Sequence, residues 1–256
     1  MRRVSKPWPP KNVARDDRDP RSLRQAEDEH LDTLRILREP TARSQHARTN
    51  FDNLDKRKLR EVLQREQGAL CIYCERPVGS DGWTATIDHW RPLRAYPEYA
   101  LRWENLYLSC TNPYTCDKAK QDRPLCWANG DPNLPWPTDF EYENIVAFSR
   151  SGHICVRENA NLDDATRKAV ELVLSDCLDG SRTRSSLLNL NHHSLVAGRR
   201  AALDSEREQL ARDFKGRTAS RQDREERARQ ILGKLPLPAF VSIRIAWLRD
   251  RLRKAE

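Results

Sequence analysis

The sequence predicts a mainly α-helical protein built around a small zinc-bound ββα centre, which makes the fold class α+β. Three observations carry this prediction. Apolar residues recur at helical spacing before residue 68 and after residue 163, four cysteines fall in two pairs between residues 71 and 116, and turn residues separate the short segments around those pairs. A chain of 256 residues is long enough for one continuous body with a compact insert.

The N-terminal part divides into an arm and a helical region. Residues 1–20 hold four prolines and alternating charges without a helical period, so we expect a flexible basic arm that orders only on a partner. A disordered tail is the equal alternative. Leucine-rich apolar positions at helical spacing predict helices over 22–39 and 52–67, within a helical region over 21–68.

The character of the sequence changes at residues 69–125, where cysteines, aromatic residues and prolines replace the helical periods. This segment is the predicted zinc-stabilised core. In the remaining region, 126–256, two short apolar runs flank "SRSG" within 139–156 and predict a β-hairpin. Helices are predicted over 163–178, 192–214, 219–233 and 238–254.

Charge and hydropathy limit the class of protein. The formal net charge of +8 and the pI of about 9.3 favour a polyanionic partner such as nucleic acid, with basic residues that merely solvate helix faces as the equal alternative. No apolar run approaches the ~20 residues that span a bilayer, and no apolar signal segment follows the start. We therefore expect a cytoplasmic protein with no membrane partner.

The cysteine pairs have metal-ligand spacing. Cys71 and Cys74 form a C-x2-C knuckle, and Cys110 and Cys116 form a longer C-x5-C, whose insertion "TNPYT" contains an Asn-Pro turn signal. Four thiolates complete a tetrahedral Zn²⁺ site, which would be closed and structural. A segment of about fifty residues buries only a modest apolar core, so metal ligation would supply part of its folding free energy.

Polar residues between and after these pairs supply the groups that phosphodiester hydrolysis needs. The reaction requires a base for water, a divalent cation at the phosphate and donors that position the backbone. Asp88, His89, Asn105 and Asp117 provide that set. Adjacent strand residues point to opposite faces, so Asp88 and His89 need a strand end or a bend to serve one site, and Pro92 fits a chain that leaves the strand there.

The block "CIYC", "IDHWRP", "WENLYLSC" and "CDKAK" resembles, in that order, the ββα-metal fold of HNH nucleases. The resemblance implies that His89 is the general base, that Asp88 ligates a catalytic Mg²⁺ or Mn²⁺, and that Asn105 orients the loop of the base. It places Asp117 where the family has a His or Asn metal ligand, and a carboxylate is a good ligand for Mg²⁺ or Mn²⁺.

The register of the last ligand stays open, because "TNPYT" could shift the final helix and bring Asn112 or Asp122 into that position instead. Three basic residues are expected to contact the phosphates of nucleic acid, with a solvated basic turn as the alternative. These residues are Lys118, Lys120 and Arg91.

The remaining cysteines and histidines lack such context. We expect the other three cysteines to be small buried hydrophobic residues, and "NLNHHSL" to start a helix with Asn191 as its N-cap rather than to form a second metal site. The residues concerned are Cys126, Cys155, Cys177, His153, His192 and His193.

A narrower resemblance extends over roughly residues 70–200. Through "CIYCERP", "IDHWRPLRAYPEYALRWENLYLSC" and "LLNLNHHSLVAGRR", the chain is similar to the HNH subunit of Septu-type anti-phage defence systems, including those coupled to retrons. This resemblance implies an ABC-like ATPase partner that restrains the nuclease, and phage or cellular nucleic acid, most simply DNA, as the target. The chain has no G-x4-GK-[ST] pattern, so any ATPase would come from outside.

A partner also fits the arm, because "SKPWPP" offers Trp8 in an extended segment that could lie in a groove. Two other functions remain open on the sequence. One is a non-catalytic zinc-dependent module that binds nucleic acid or protein. The other is a stand-alone HNH restriction-type or homing-type nuclease without an ATPase.

Overall fold

The computed structural model describes residues 2–6, 22–121, 135–174, 187–215 and 217–252, and in these residues helices pack around two small antiparallel sheets. The mixed α and β class expected from the sequence is confirmed. The N-terminal helices are α1 (Leu23–Ile36), α2 (Pro40–Asp52) and α3 (Lys56–Glu66). Residues Trp8, Asp122, Cys126 and Cys177 lie outside the described part of the chain.

Local caps explain where the first helices begin. The Ser22 side chain accepts from the Gln25 N–H while the Gln25 side chain accepts from the Ser22 N–H, which closes a capping box at α1. The sequence did not predict α2, because only Ala47 and Phe51 of this helix are buried and they form no apolar stripe. α3 begins later than expected, since the carboxylate of Asp55 caps it.

The central element is a ββα unit. Strand β1 (Ala85–His89) pairs antiparallel with β2 (Leu106–Cys110), and α4 (Cys116–Lys120) follows. Cys110 lies opposite Ala85 at one end of the pair, and His89 lies opposite Leu106 at the other. The predicted metal ligands and the predicted base therefore lie at opposite ends of one two-stranded sheet.

The C-terminal region contains the expected hairpin and four helices. These elements are β3 (Val146–Phe148), β4 (Ile154–Val156), α5 (Asp164–Leu174), α6 (His193–Asp213), α7 (Arg221–Leu232) and α8 (Val241–Leu248). α8 ends at Leu248 rather than at residue 254. Asp250 has a φ of 53°, and the Arg251 N–H donates to the Ala246 carbonyl at 2.7 Å, which together close the helix in a Schellman-type turn.

A large apolar core joins most of these parts, and a second, smaller cluster packs α7 against α6 and α8. The large core includes residues from α1 to α3, from the ββα unit, from the hairpin and from α5, α6 and α8. At its centre the Trp90 ring contacts three tyrosine rings at centroid distances of 5.6, 5.8 and 5.9 Å, those of Tyr73, Tyr107 and Tyr142. The strand that carries Asp88 and His89 thus continues directly into the best-packed part of the protein.

The described part of the arm, residues 2–6, is packed rather than free. The Val4 side chain is buried and its N–H donates to the Pro137 carbonyl at 2.9 Å. The ammonium of Lys6 donates to the carbonyls of Trp103 and Leu106 and lies 3.9 Å from the centre of a Trp103 ring. The expectation of a flexible arm does not hold for these five residues, because apolar and cation–π contacts attach them to the core.

The C-terminal helices also hold the cysteine knuckle. The Glu75 carboxylate accepts from the N–H and hydroxyl of Ser242 at the start of α8, and Arg76 donates to the Ser194 hydroxyl at 2.8 Å. The knuckle is therefore held by the C-terminal helices α6 and α8 as well as by α3. None of the helices in the described segments is long and apolar enough to cross a membrane.

Candidate metal centre and catalytic cluster

The four paired cysteines converge on one point. Cys71 and Cys74 lie in the knuckle after α3, Cys110 ends β2, and Cys116 begins α4. All four are buried, and their sulfur atoms lie within 4.8 Å of one another. A tetrahedral site with Zn–S bonds of about 2.3 Å has edges of about 3.8 Å, and the Cys74 and Cys110 sulfurs are 3.7 Å apart. The cluster fits a structural metal such as zinc, as the spacing predicted.

The electrostatics of the thiols also fit a cation. Hydrogen bonds from Cys116, Cys71 and Cys74 hold the pKa of Cys110 far below its usual range, while burial raises the pKa of Cys116. The Cys71 sulfur also accepts from the Cys110 N–H at 3.3 Å. The pKa of Cys71 is lowered as well, so the cluster favours thiolates, the form of cysteine that ligates a divalent cation.

A second polar cluster surrounds Asp88 in β1. The Lys120 ammonium lies 2.8 Å and 2.7 Å from the two Asp88 carboxylate oxygens and also donates to the His89 carbonyl at 2.7 Å. The Tyr73 hydroxyl donates to the same carboxylate at 2.5 Å. Lys120 is 0% exposed and Asp88 is 6% exposed, so this ion pair is part of the interior.

This contact corrects one expectation. Lys120 was assigned to the phosphates of nucleic acid, but a fully buried ammonium bonded to Asp88 cannot also contact a phosphate backbone. The sequence held a usable signal, because Lys120 follows the buried Cys116 by four residues and residues at that spacing share a helix face. Nothing local indicated Tyr73 as the second partner of Asp88. Lys118, in contrast, is exposed.

Asp117 lies beside Asp88. Burial and the neighbouring Asp88 carboxylate raise the pKa of Asp117 to about 7, against the opposing effect of Lys120. The Asn112 side chain is engaged elsewhere, because it accepts from the Tyr114 N–H at 2.9 Å in a local turn. Among the described residues, Asp117 is therefore the one that forms a carboxylate pair with Asp88. Such a pair is a donor set that suits Mg²⁺ or Mn²⁺.

His89 has different side-chain neighbours from Asp88, as the alternation along a strand requires. Its Nε2 lies 3.0 Å from the Ala100 carbonyl, and its ring meets Phe51 of α2 edge to face at 4.5 Å. A carbonyl only accepts, so Nε2 carries the proton and Nδ1 holds the lone pair of the neutral ring. Burial lowers the pKa of His89 to about 4, which keeps this imidazole neutral at pH 7.

Asn105 holds the loop between β1 and β2. Its side chain accepts from the Arg91 N–H at 2.7 Å and donates to the carbonyls of Arg91 and Tyr99 at 3.1 and 2.9 Å. These bonds close the loop that also carries Ala100, the hydrogen-bond partner of His89. The resemblance implies that Asn105 orients the loop of the base, and these are the contacts through which it would do so.

The N-terminal helices support the same loop, which the sequence did not indicate. His30 of α1 is 1% exposed, and its Nε2 lies 2.8 Å from the Pro97 carbonyl. Asn50 of α2 lies 3.1 Å from the other ring nitrogen of His30. A buried His–Asn pair therefore links α1 and α2 to the loop, three residues before Ala100.

The other predicted polar residues occupy separate positions. Arg91 is half-buried, with its guanidinium 4.8 Å and 4.3 Å from the ring centres of Tyr99 and Trp136. His153 is exposed and far along the chain in the hairpin turn, where it contacts the Ser151 hydroxyl. Cys155 is half-buried in β4 rather than fully buried.

The start of α6 also differs from expectation. The N-cap is His192, whose side chain accepts from the Ser194 N–H. Asn191 instead pairs with the backbone of Ile154, accepting from its N–H at 2.8 Å and donating to its carbonyl at 2.9 Å. The His192 ring stacks on His193 at 4.1 Å and on Tyr114. In the described residues, the four cysteines are the one group of three or more His, Cys, Asp or Glu side chains close enough together to hold a metal ion.

Comparisons with known proteins do not extend this picture. No protein-family model matches the chain. No curated protein matches it either. The site therefore has to be interpreted from its own residues and geometry.

Proposed function

We propose that this protein is a metal-dependent HNH endonuclease that hydrolyses phosphodiester bonds of nucleic acid, most simply DNA. The observation that carries the proposal is the ββα unit, in which a four-cysteine cluster lies at one end of the sheet, Asp88 and the neutral imidazole of His89 end strand β1, and Asp117 of α4 lies beside Asp88. The order of these parts along the chain is the one that the resemblance implies.

His89 is the proposed general base. Its Nε2–H is held by the Ala100 carbonyl, so the Nδ1 lone pair is the one that can take a proton from the attacking water. The water oxygen attacks phosphorus in line, its proton passes to Nδ1, and the P–O bond to the leaving 3′ oxygen breaks. A pKa of about 4 makes a weak base in the free protein, and a bound phosphate anion would raise it towards neutrality.

Asp88 and Asp117 would hold the divalent cation. Such a cation, Mg²⁺ or Mn²⁺, supplies charge neutralisation at the scissile phosphate and the leaving oxygen. Asp88 accepts two contacts from Lys120 and one from Tyr73, and a further side-chain hydrogen bond links it to the Asp117 carboxyl, so the cation would take the place of the proton between the two carboxyl groups. Repulsion between the two carboxylates contributes to the raised pKa of Asp117, and a cation bound between them would relieve it.

The decisive experiment is a plasmid-nicking assay with Mg²⁺ or Mn²⁺. It compares the wild type with His89→Ala and, as a matched control, with His153→Ala in the exposed hairpin turn. We expect cleavage by the wild type and by the control, and none by His89→Ala with unchanged zinc content. Equal cleavage by all three folded proteins would overturn the role of His89.

A specific observation favours a second candidate function. The buried Lys120–Asp88 ion pair already neutralises the carboxylate that would bind the cation, as expected of a zinc-dependent binding module that has lost catalysis. That candidate requires salt-sensitive nucleic-acid binding without divalent-dependent nicking, even when the partner ATPase is present. The nicking assay, repeated with the partner, separates the two functions.

The defence role, the ABC-like ATPase partner and a cytoplasmic location rest on the resemblance and on the absence of long apolar runs. Co-purification with an ATPase encoded beside this chain would support the partner. Cleavage by the isolated chain, unchanged when that ATPase is added, would instead favour the stand-alone restriction-type nuclease. Cell fractionation tests the location.

A further inference from the structure

A cavity of about 140 Å³ lies between the β3–β4 hairpin and α8. Its lining includes neither the four cysteines nor Asp88 and Asp117. Its floor is apolar, formed by side chains of β3, α7 and α8. Its rim is strongly basic. The floor residues are Val146, Phe148, Leu232, Val241, Ile245 and Ala246, and the arginines of the rim are Arg2, Arg157, Arg249 and Arg251.

Arg157 is held in place by two backbone carbonyls. It is half-buried, and one guanidinium nitrogen donates to the carbonyls of Glu143 and Val146 at 3.1 and 3.0 Å. These two bonds use some of the N–H donors of the guanidinium group and fix the position of that group at the rim. Within the described segments Arg157 forms no ion pair with a carboxylate, so its positive charge is not compensated there.

The charge around Arg157 is unbalanced. Burial and the neighbouring Arg251 both lower the pKa of Arg157, which means that two guanidinium groups repel each other at this rim. Arg249 is neutralised separately, by a two-point contact with Glu225 at 3.0 and 2.7 Å. Glu143 also lines the cavity, and its carboxylate accepts from the backbone N–H of Arg3, a neutral donor that leaves the Glu143 charge in place. Arg157 is half-buried and Arg251 is exposed, and even with Glu143 in the lining and Glu225 near Arg251 the four arginines outnumber the two carboxylates. The rim therefore carries net positive charge, which favours an anion there.

We propose that this cavity binds a small organic anion, whose phosphate or carboxylate group lies on Arg157 and Arg251 and whose apolar or aromatic body contacts the floor. Guanidinium groups bind both kinds of head group in a two-point manner. The volume is well below the roughly 300–1,000 Å³ of pockets for drug-sized ligands, so the body is about one ring or a short chain. This site is independent of the proposed nuclease function.

The test is calorimetric titration of the full chain at 0.15 M salt with four probes. Phenyl phosphate and benzoate present the two head groups on the same ring, inorganic phosphate lacks the ring, and benzyl alcohol lacks the charge. We expect saturable binding of at least one aromatic anion, about tenfold weaker binding of inorganic phosphate if phosphate is the head group, and no binding of the alcohol.

Arg251→Ala is the test variant, because this side chain is exposed and only its backbone supports the end of α8. Arg38→Ala, an exposed arginine between α1 and α2, removes the same charge at a distance. We expect Arg251→Ala to weaken binding of the aromatic anion by about tenfold, as for loss of a charged hydrogen bond, and Arg38→Ala to change it less than twofold.

Several results would overturn the proposal. Absence of saturable binding of both aromatic anions would do so, as would wild-type affinity in Arg251→Ala. Equal affinity for inorganic phosphate and phenyl phosphate, without benzoate binding, would reduce the site to a surface charge without the apolar floor. Binding of benzyl alcohol with equal affinity would show that the negative charge of the ligand is not needed for binding.

Discussion

The buried ion pair between Lys120 and Asp88 allows a sharp test of the structure by the substitution Lys120→Met. Methionine keeps most of the stem volume of lysine, so the change removes charge and hydrogen bonds with little loss of packing. The lost contacts are those to both Asp88 oxygens at 2.8 and 2.7 Å and to the His89 carbonyl at 2.7 Å. Asp88, which is 6% exposed, would then keep the Tyr73 hydroxyl and the Asp117 carboxyl as hydrogen-bond partners but would have lost its ion pair.

The magnitude follows from the cost of a buried unpaired charge. Removing one partner of such a pair destabilises a protein by about 3–5 kcal/mol. For a chain of this length each kcal/mol corresponds to a change of about 2–4 °C in Tm, so we expect a decrease of roughly 10 °C. Lys118→Met is the matched control, because Lys118 is exposed on the same short helix and should change stability by less than about 0.5 kcal/mol.

The assay is urea unfolding of both variants and the wild type, with and without Mg²⁺. If Asp88 and Asp117 bind a cation, Mg²⁺ should stabilise Lys120→Met more than the wild type, because the ion replaces the missing positive charge. A Lys120→Met protein within about 1 kcal/mol of the wild type would refute the reasoning that Asp88 is buried and charged. Equal Mg²⁺ effects on both proteins would argue against the cation site.

Three further expectations concern the metal, pH and the loop. Cys110→Ser should abolish zinc binding and expose 106–120 to amide exchange, whereas Cys155→Ser, outside the cluster, should keep one zinc per chain by elemental analysis. The pKa of His89 is lowered to about 4, so the stability that its neutral ring contributes is present above pH 6.5 and is lost as pH falls towards 4. Between pH 7 and 4.5, the free energy of unfolding in urea should fall by roughly 2 kcal/mol more for the wild type than for His89→Gln. Equal decreases in both proteins would contradict a neutral buried imidazole. Asn105→Ala should lower the free energy of unfolding by about 2–4 kcal/mol. Both Asn105→Ala and His30→Ala should raise amide exchange over 97–101, and unchanged exchange in both variants would show that neither residue holds the loop.

The residues that could be predicted are those whose signal lies in local spacing. The spacing of the C-x2-C and C-x5-C pairs predicted one common cysteine cluster that could bind a metal, and the four sulfur atoms do lie together. Apolar periodicity located α1, α3 and the C-terminal helices to within a few residues, apart from the end of α8. It missed α2, since a helix with two buried residues carries almost no periodic signal.

The candidate site shows the same division. The type and order of Asp88, His89, Asn105 and Asp117 were visible in the sequence, and the structure places the two carboxylates together. What neutralises Asp88 was not visible, because the carboxylate and the ammonium of Lys120 are separated by 32 residues. The sequence therefore assigned Lys120 to solvent and phosphate when it belongs to the interior.

By itself, then, the sequence determined the four-cysteine cluster, most of the helical surroundings and the candidate polar residues of the site, because ligand spacing and apolar periodicity are properties of neighbouring residues. Only the tertiary structure decided which groups meet. It placed His89 against Ala100 and Phe51, brought His30 to the loop that carries Ala100, and brought Arg157 and Arg251 to the lining of one cavity. These contacts depend on how the helices pack on the ββα unit, and packing joins residues that no local pattern connects.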